Sequence, residues 1–567
     1  MGILFQLQLL LVISVCSASN LPIVDLGYEL HQASSFNSEN GLYNFSNIRY
    51  AAPPVGDLRF RAPVVPARNR SQIQNGTVGR VCPQANGIWI ENIMPAFLLS
   101  IIEGTPFNQS TNISSYPYVP QVQDSRTTED CLFLDVVVPK KVFNRGFNRS
   151  RSHGRQSWKK KQLAPVLVWI YGGGYVSGDK NVEDPSGLVE RSTVNGDGVV
   201  YVAMNYRLGA FGWLGGDTLQ ANGTANAGLY DQRFALEWIY KNIHLFGGDR
   251  DRVTVIGESA GGGSIMHQIT AYGGAKGPAP FQQAIVQSPG WVPVPDKKQP
   301  EDTLQQFLGI LNVSTIEEAR RLPSEKLIAA NAYQVATKSP WGELVYTPVV
   351  DGTFVPKLPG QLLMEGRYDH NLSVMVGNNA NDGIMFTSPD SVKSGYLQKM
   401  LKEYYPFIKQ NVTDYILDVL YPAVYNGSYP YTNSLERTAF LLQESIFECN
   451  NEYLDWAYDA KTFAYEFSVP PALHGQDTLY TFYNKGKQGN QGGLSGLDVH
   501  NETIAFVMQD YFTTFAQSGI PSSALGPTFK RYGAERAMLD IGNETIRPIR
   551  DPTSASRCRF WQTAPYY

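Results

Sequence analysis

A serine flanked by glycines is the first group in the sequence whose setting suggests chemistry. The apolar run at 253–256 leads into GESAGGG at positions 257–263. A G-x-S-x-G segment between a buried strand and a helix holds its serine on a sharp, strained turn, with the hydroxyl above the sheet. The flanking glycines allow this turn because a Cβ there would press on the neighbouring strand or helix. The pattern predicts that Ser259 is a nucleophile, and the alternative is a glycine-rich turn in a structural loop.

A second glycine-rich segment, YGGGY at 171–175, also follows an apolar run. Main-chain amides in a triple glycine can approach a substrate oxygen closely. We therefore expect the amides of Gly173 and Gly174, together with that of Ala260, to form an oxyanion hole. A phosphate-binding loop is the alternative, but the segment lacks the Gly-Lys-Ser/Thr ending of a P-loop.

Both segments must be positioned by the elements around them. Short apolar runs lie at 166–170, 199–203, 253–256, 284–286, 374–376 and 463–467, and helical patterns lie at 231–246 and 503–515. Continuous apolar runs indicate strands buried on both faces. Their alternation with helices predicts a mostly parallel central sheet with helices on both faces, whose functional loops lie at the carboxyl ends of the strands.

Further motifs extend over most of the chain. They are EDCLFL at 129–134, NYRLG at 205–209, DQR at 231–233 and FGGD at 246–249. With the serine motif, they resemble the type-B carboxylesterase/cholinesterase-like family of α/β-hydrolases, and most closely its secreted fungal carboxylesterases and lipases. The resemblance implies an α/β-hydrolase fold and ester hydrolysis without a metal or organic cofactor. It also implies a triad in the chain order serine, acid, histidine.

The resemblance extends to the other two members of the triad. A serine hydroxyl needs a base to take its proton, and His474, in a Leu-His-Gly sequence after the run at 463–467, resembles the family's catalytic histidine. His500 is the fallback among the seven histidines. The family's acid precedes a glycine and is most often glutamate. Asp382 holds that position here and is one methylene shorter, so the backbone must supply the remaining reach. The alternative is a turn aspartate that caps the next helix.

Two further polar residues are candidates for supporting the triad. Ser288, in the sequence QSPG at 287–290, resembles the serine that supports the acid. Glu258 lies beside the nucleophile, and we expect it to hold negative charge near the imidazole.

The predicted function is therefore a serine carboxylic ester hydrolase that works through an acyl-enzyme intermediate. Its substrate is expected to be a small-molecule or lipid ester. An interfacially activated lipase is one alternative. A non-catalytic, cholinesterase-like adhesion protein is another, although such relatives commonly lose the serine that this chain retains.

The first residues predict export from the cell. An apolar run at 9–15 is followed by the small residues CSAS at 16–19, which is typical of a signal peptide over 1–19. A membrane anchor is the alternative, but the run is short of the ~20 residues that a span needs. We thus expect a secreted protein without a stable membrane span, with 20–567 forming a single catalytic domain.

The glycosylation sequons and the cysteines are also consistent with secretion. N-x-[ST] sequons occur at Asn44, Asn69, Asn75, Asn108, Asn112, Asn148, Asn222, Asn312, Asn371, Asn411, Asn426, Asn501 and Asn543. They predict N-linked glycans. Removal of the signal peptide leaves four cysteines, which allow three pairings. The spacing favours Cys82 with Cys131 and Cys449 with Cys558, because neither loop then encloses the other; four free thiols are the alternative.

Two segments stand out from the predicted core. The family resemblance implies that the loop over 82–131 is a lid or rim loop. Its apolar stretch at 89–102 either packs onto the core or forms a flap over the active site. The stretch 140–161 is rich in lysine and arginine and predicts a basic surface insertion. The formal net charge of the whole chain is nevertheless −4, which argues against a nucleic-acid partner.

Overall fold

The computed structural model describes residues 21–120, 122–150, 163–486 and 497–566. The strands in these residues are β1 (Ile23–Asp25), β2 (Leu30–Gln32), β3 (Ser35–Asn37), β4 (Leu42–Arg49), β5 (Ile73–Gln74), β6 (Phe133–Pro139), β7 (Ala164–Ile170), β8 (Val200–Met204), β9 (Gly248–Glu258), β10 (Gln283–Gln287), β11 (Ser373–Asn379), β12 (Phe463–Phe467), β13 (Ala537–Ile541) and β14 (Ile546–Arg550).

The α-helices of the same residues surround these strands. They are α1 (Met94–Glu103), α2 (Lys140–Ser150), α3 (Ser186–Val194), α4 (Gly209–Trp213), α5 (Asp217–Gln220), α6 (Ala227–Asn242), α7 (Ala260–Ile269), α8 (Lys298–Leu311), α9 (Ile316–Arg320), α10 (Ser324–Lys338), α11 (Pro359–Met364), α12 (Tyr396–Tyr404), α13 (Gln410–Tyr415), α14 (Ser434–Leu442), α15 (Cys449–Ala457), α16 (Gln476–Thr481), α17 (Glu502–Ser518) and α18 (Ala555–Thr563).

An eleven-stranded sheet forms the centre of the described chain, in the order β14-β13-β12-β11-β10-β9-β7-β8-β6-β4-β3. The strands from β8 through β7 and β9 to β13 are parallel. The outer strands β3, β4, β6 and β14 pair antiparallel. Every residue of β7 and β8 is buried, which requires cover on both faces of the sheet. The mostly parallel, two-sided sheet predicted from the apolar runs is thereby confirmed.

The predicted elements fall where the sequence patterns place them. The six apolar runs lie in or overlap β7 to β12, and the two helical patterns fall in α6 and α17. The first helical pattern is divided, because α6 ends at Asn242 and a 3₁₀ turn continues over Ile243–Phe246.

The cysteines form the two disulfides Cys82–Cys131 and Cys449–Cys558, which is the pairing that the spacing favours. Inside the first disulfide loop, the Trp89 ring packs against Trp341 with ring centroids 5.3 Å apart. On α1 of the same loop, Leu99 and Ile102 remain 53% and 48% exposed. The loop thus buries one apolar face and presents another to solvent.

The basic stretch differs in part from the expected surface insertion. Its first half forms α2, whose Val142 and Phe143 are buried in the main hydrophobic core, while Lys140 and Lys141 are exposed. Two adjacent apolar side chains therefore anchor this half to the domain. Positions 151–161 and the predicted signal peptide lie outside the described residues. Among the described residues, we find no helix with the length and apolar content that a membrane span requires.

A buried acid cluster lies beside β12 and α15. It consists of Glu448, Glu452, Asp455 and Glu466. Burial raises the pKa of Glu452 to about 8 and that of Glu466 to about 7, with neighbouring carboxylates adding to the effect. Arg536 forms an ion pair with Glu452 and offsets part of the negative charge.

Candidate active site

Ser259 lies on the sharp turn between β9 and α7, at the carboxyl end of a central strand. Its φ of 57° and ψ of −125° lie in a region that non-glycine residues rarely adopt. The Ser259 amide donates to the Gln287 carbonyl at 3.0 Å, and the Ser259 carbonyl accepts from the amides of Gly263 and Gly290. A Cβ on Gly261 would lie 2.0 Å from the Ile170 carbonyl oxygen, so the turn requires glycine there.

The glycine-rich segment after β7 lies against this turn. A Cβ on Gly172 would approach Ser259 Cβ to 2.9 Å. Gly173 and Gly174 have φ values of 91° and 59°, in the left-handed region that favours glycine. Within the described residues, the amides of Gly173, Gly174 and Ala260 donate no hydrogen bond to the protein. These amides are therefore free to bind a substrate oxygen.

Asp382 and His474 are hydrogen-bonded, with 2.7 Å between Asp382 Oδ1 and His474 Nδ1. The two residues follow the neighbouring strands β11 and β12. A bridge between Asn381 and Leu473, with the Asn381 amide donating to the Ala472 carbonyl at 3.0 Å, ties the two loops together. This contact of the backbones brings the short aspartate side chain within reach of the imidazole.

The second carboxylate oxygen of Asp382 is held by two donors. Ser288 Oγ donates to Asp382 Oδ2 at 2.9 Å, and the main-chain amide of Asn379 donates to the same oxygen at 3.0 Å. Asp382 and Ser288 are both fully buried. The orientation of the carboxylate is therefore fixed before any substrate binds.

The other imidazole nitrogen, His474 Nε2, lies 3.2 Å from Glu258 Oε1. Neither atom has a hydrogen bond of good geometry with the described residues, so Nε2 is not bonded to the Ser259 hydroxyl in this structure. Burial alone lowers the pKa of His474. The negative charges of Glu258, Asp382 and Asp477 outweigh this effect and raise the pKa to about 9. Burial also raises the pKa of Glu258, because its charged form is poorly solvated there.

The sequence reasoning missed a polar network behind the acid. Asp477 Oδ2 accepts from Tyr465 Oη and from Gln287 Nε2, each at 2.8 Å. Asn379 Nδ2 donates to Asp477 Oδ1 at 3.1 Å and thereby joins this network to the loop of Asp382. Asp477 follows His474 by three residues, and Asn379 precedes Asp382 by three. Their position three residues from a predicted triad residue is the sequence feature that could have identified them.

A cavity of about 540 Å³ opens over the serine. Of the predicted residues, Ser259, His474, Glu258, Gly173 and Gly174 line the cavity. The other three predicted residues are not among its lining residues: they are Asp382, Ser288 and Ala260. The fallback His500 is exposed and lies outside the lining.

The wall of the cavity combines apolar and acidic groups. The apolar part includes Trp89, Met94, Trp291, Phe386 and Phe447. The carboxyl groups belong to Asp179, Glu183, Glu258 and Glu343. No lysine or arginine lines the cavity within the described chain. The sequence reasoning did not single out Asp179, Glu183 or Glu343, because no motif marks them.

The strand order, the serine turn after β9 and the acid and histidine after β11 and β12 define an α/β-hydrolase. The crystal structure of Aspergillus niger EstA shares this fold, with a TM-score of 0.78, 24% identity and coverage of 96% of this chain and 99% of the other. A solved pNB esterase has a TM-score of 0.72 and 27% identity, with coverage of 95% and 99%.

Sequence comparison defines the family within this class. The model of the carboxylesterase family matches residues 31–561. "Carboxylesterase patB" of Penicillium expansum is 41% identical, with 97% of each chain covered. A "Secreted lipase" of Arthroderma benhamiae is 33% identical over 64% of this chain and 68% of the relative. The chain belongs to the carboxylesterase family, so the predicted family and enzyme class are confirmed.

Proposed function

We propose that this enzyme hydrolyses carboxylic esters through a serine acyl-enzyme intermediate. His474 Nε2 takes the proton of the Ser259 hydroxyl as its Oγ attacks the ester carbonyl carbon. The amides of Gly173, Gly174 and Ala260 bind the oxyanion. The tetrahedral intermediate then expels the alcohol, which receives the proton from His474. A water molecule repeats the sequence on the acyl-enzyme and releases the carboxylic acid and free serine.

The observation that carries this proposal is the 2.7 Å hydrogen bond between Asp382 and His474 beside the strained Ser259 turn. In the neutral form of His474 the bond keeps the proton on Nδ1 and leaves Nε2 as the base, and because the pKa is raised to about 9 this form grows as the pH rises toward that value. The Ser259 hydroxyl must reach Nε2 once a substrate is bound. Such hydrogen bonds are often loose in unliganded sites and tighten in the substrate complex.

Ser259→Ala and His474→Gln test the mechanism. Both variants are expected to lose at least about 10⁴-fold in kcat toward a soluble ester, because each removes a member of the catalytic unit. His500→Gln is the matched control, since this exposed histidine lies outside the cavity lining. Circular dichroism establishes that each variant is folded. Ester turnover retained by folded Ser259→Ala would contradict the mechanism.

A lipase acting at interfaces is the second candidate. It is favoured by Leu99 and Ile102, which are exposed on α1, the helix whose Met94 lines the cavity. The similarity to the "Secreted lipase" of Arthroderma benhamiae also supports this candidate. The test is the hydrolysis rate across the solubility limit of a short triglyceride. A jump at the limit supports a lipase with the 82–131 loop as lid, whereas smooth saturation supports the esterase.

We also propose that the enzyme is secreted and N-glycosylated. Two disulfides and named secreted lipases among the relatives support this. The sequon residues Asn69, Asn75, Asn411 and Asn426 are exposed on the surface. Expression of the full chain in a eukaryotic host should yield protein in the medium whose mass falls on treatment with an N-glycosidase. Retention of all the protein inside the cells would contradict the proposal.

A further inference from the structure

Glu183 is a buried carboxyl group in the cavity wall that the hydrolytic mechanism does not use. It lies on the segment between the glycine-rich loop and α3, is 8% exposed and lines the same cavity as Ser259. It makes no hydrogen bond or ion pair with any described residue. An unpaired polar group in such a place is costly unless a ligand or water satisfies it.

The other carboxyl groups in the cavity wall have different surroundings. Asp179 accepts from the Asn181 amide at 2.8 Å and lies 3.9 Å from Arg126, and Glu258 faces His474. Glu343 is half-buried, and burial raises its pKa to about 8, so its surroundings are closest to those of Glu183. Among the carboxyl groups of the described lining, Glu183 is the one that is both only 8% exposed and without a charged or hydrogen-bonded partner.

The surroundings of Glu183 favour its neutral form. Burial raises the pKa of Glu183 to about 9, and the nearby charge of Glu258 adds to the effect. A neutral carboxyl group has one O–H donor and one carbonyl acceptor. An alcohol hydroxyl, which also donates and accepts, is the complementary group.

Building on the proposed ester hydrolysis, we propose that Glu183 is a specificity-determining residue that binds an uncharged hydroxyl group of the substrate. The preferred substrates are then esters that carry an apolar part and, away from the ester bond, a free hydroxyl. The apolar part packs against the aromatic wall, and the hydroxyl pairs with Glu183. Esters that carry a carboxylate are disfavoured, because the lining has four carboxyl groups and no lysine or arginine among the described residues.

The experiment compares esters of equal size that differ in one group. On the alcohol side the pair is 4-hydroxybutyl acetate and pentyl acetate, and on the acyl side it is ethyl 6-hydroxyhexanoate and ethyl heptanoate. The readout is the ratio of kcat/KM for the hydroxyl ester to that for its methyl-terminated partner. In at least one pair, Glu183→Leu is expected to lower this ratio about tenfold to hundredfold, since it removes both hydrogen-bonding atoms.

Two further variants separate recognition from structure. Glu183→Gln keeps a donor and an acceptor and should retain most of the preference. Glu190→Leu, at an exposed position of α3, should leave the ratio at its native value. An equal loss of activity toward both esters in Glu183→Leu, with the ratio unchanged in both pairs, would show a structural role and overturn the proposal. So would a preference of the native enzyme for 4-(trimethylammonio)butyl acetate over 4-hydroxybutyl acetate that is lost in Glu183→Gln, because an ionised Glu183 would then be the binding form.

A binding measurement keeps this test independent of turnover. Calorimetry on the Ser259→Ala variant compares the affinities of the two members of each pair. A preference for the hydroxyl ester that disappears in Ser259→Ala/Glu183→Leu supports the assignment even if the native protein hydrolyses neither ester. Equal affinities throughout would overturn it, whatever the outcome for hydrolysis.

Discussion

Replacement of Asp382 by asparagine changes one atom at the centre of the site. Asp382 Oδ2 accepts hydrogen bonds from Ser288 Oγ and from the main-chain amide of Asn379. The oxygen of the new side-chain amide should therefore take that place and leave its NH₂ group facing His474 Nδ1. Two donors cannot share this contact, so the imidazole proton moves to Nε2. Nε2 can then no longer accept the serine proton.

The expected loss follows from this exchange of tautomers. An aspartate-to-asparagine change of this kind costs about 10⁴-fold in kcat. That factor corresponds to about 5.4 kcal/mol at about 1.36 kcal/mol per factor of ten. Initial rates with a chromogenic acetate ester give the loss, and circular dichroism and thermal unfolding report on the fold. Asp390→Asn, at an aspartate that pairs with Lys393, is the matched control and should keep native rates. A folded Asp382→Asn enzyme whose kcat lies within tenfold of the native value would contradict the exchange of tautomers.

Three further predictions concern pH and stability. Glu258→Gln removes a charge that raises the pKa of His474, so the acidic limb of the kcat/KM–pH profile should move to lower pH; an unmoved limb would contradict the contact. The Cys449→Ala/Cys558→Ala variant removes a disulfide between residues 109 positions apart, so the free energy of unfolding measured with denaturant should fall by about 2–5 kcal/mol. An unchanged free energy of unfolding would contradict a stabilising role for this bond. Glu452 and Glu466 of the buried acid cluster bind protons more tightly in the folded than in the unfolded protein, so their contribution to stability is complete below about pH 4 and is lost as the pH rises through about 7 to 8. The thermal midpoint should be higher at pH 5 than at pH 8.5, and the opposite order would contradict the raised pKa values.

The sheet and its functional edge follow from local patterns. Fully apolar runs such as 166–170 are buried on both faces, and glycines around Ser259 are needed wherever a Cβ would meet a main-chain carbonyl. These requirements act on residues that are neighbours in the sequence, so the sequence alone predicts the strands and the position of the serine turn.

Contacts between distant segments were harder to predict. The bridge from Asn381 to Leu473, which lets a short aspartate reach the imidazole, joins residues about ninety positions apart. Asp477 and Glu183 gain their surroundings only when loops from separate strands meet. Burial of Val142 and Phe143 in the basic stretch likewise depends on tertiary packing, which overrides the local composition.

Covalent labelling with a fluorophosphonate ester, followed by intact mass measurement and peptide mapping, tests directly whether the three residues form one catalytic unit. If Ser259, His474 and Asp382 act together, the native enzyme should take up one phosphonyl group per chain, on the peptide that contains Ser259. Labelling should fall sharply in His474→Gln and vanish in Ser259→Ala. An adduct on another residue, or equally rapid labelling of Ser259 in His474→Gln, would contradict the account.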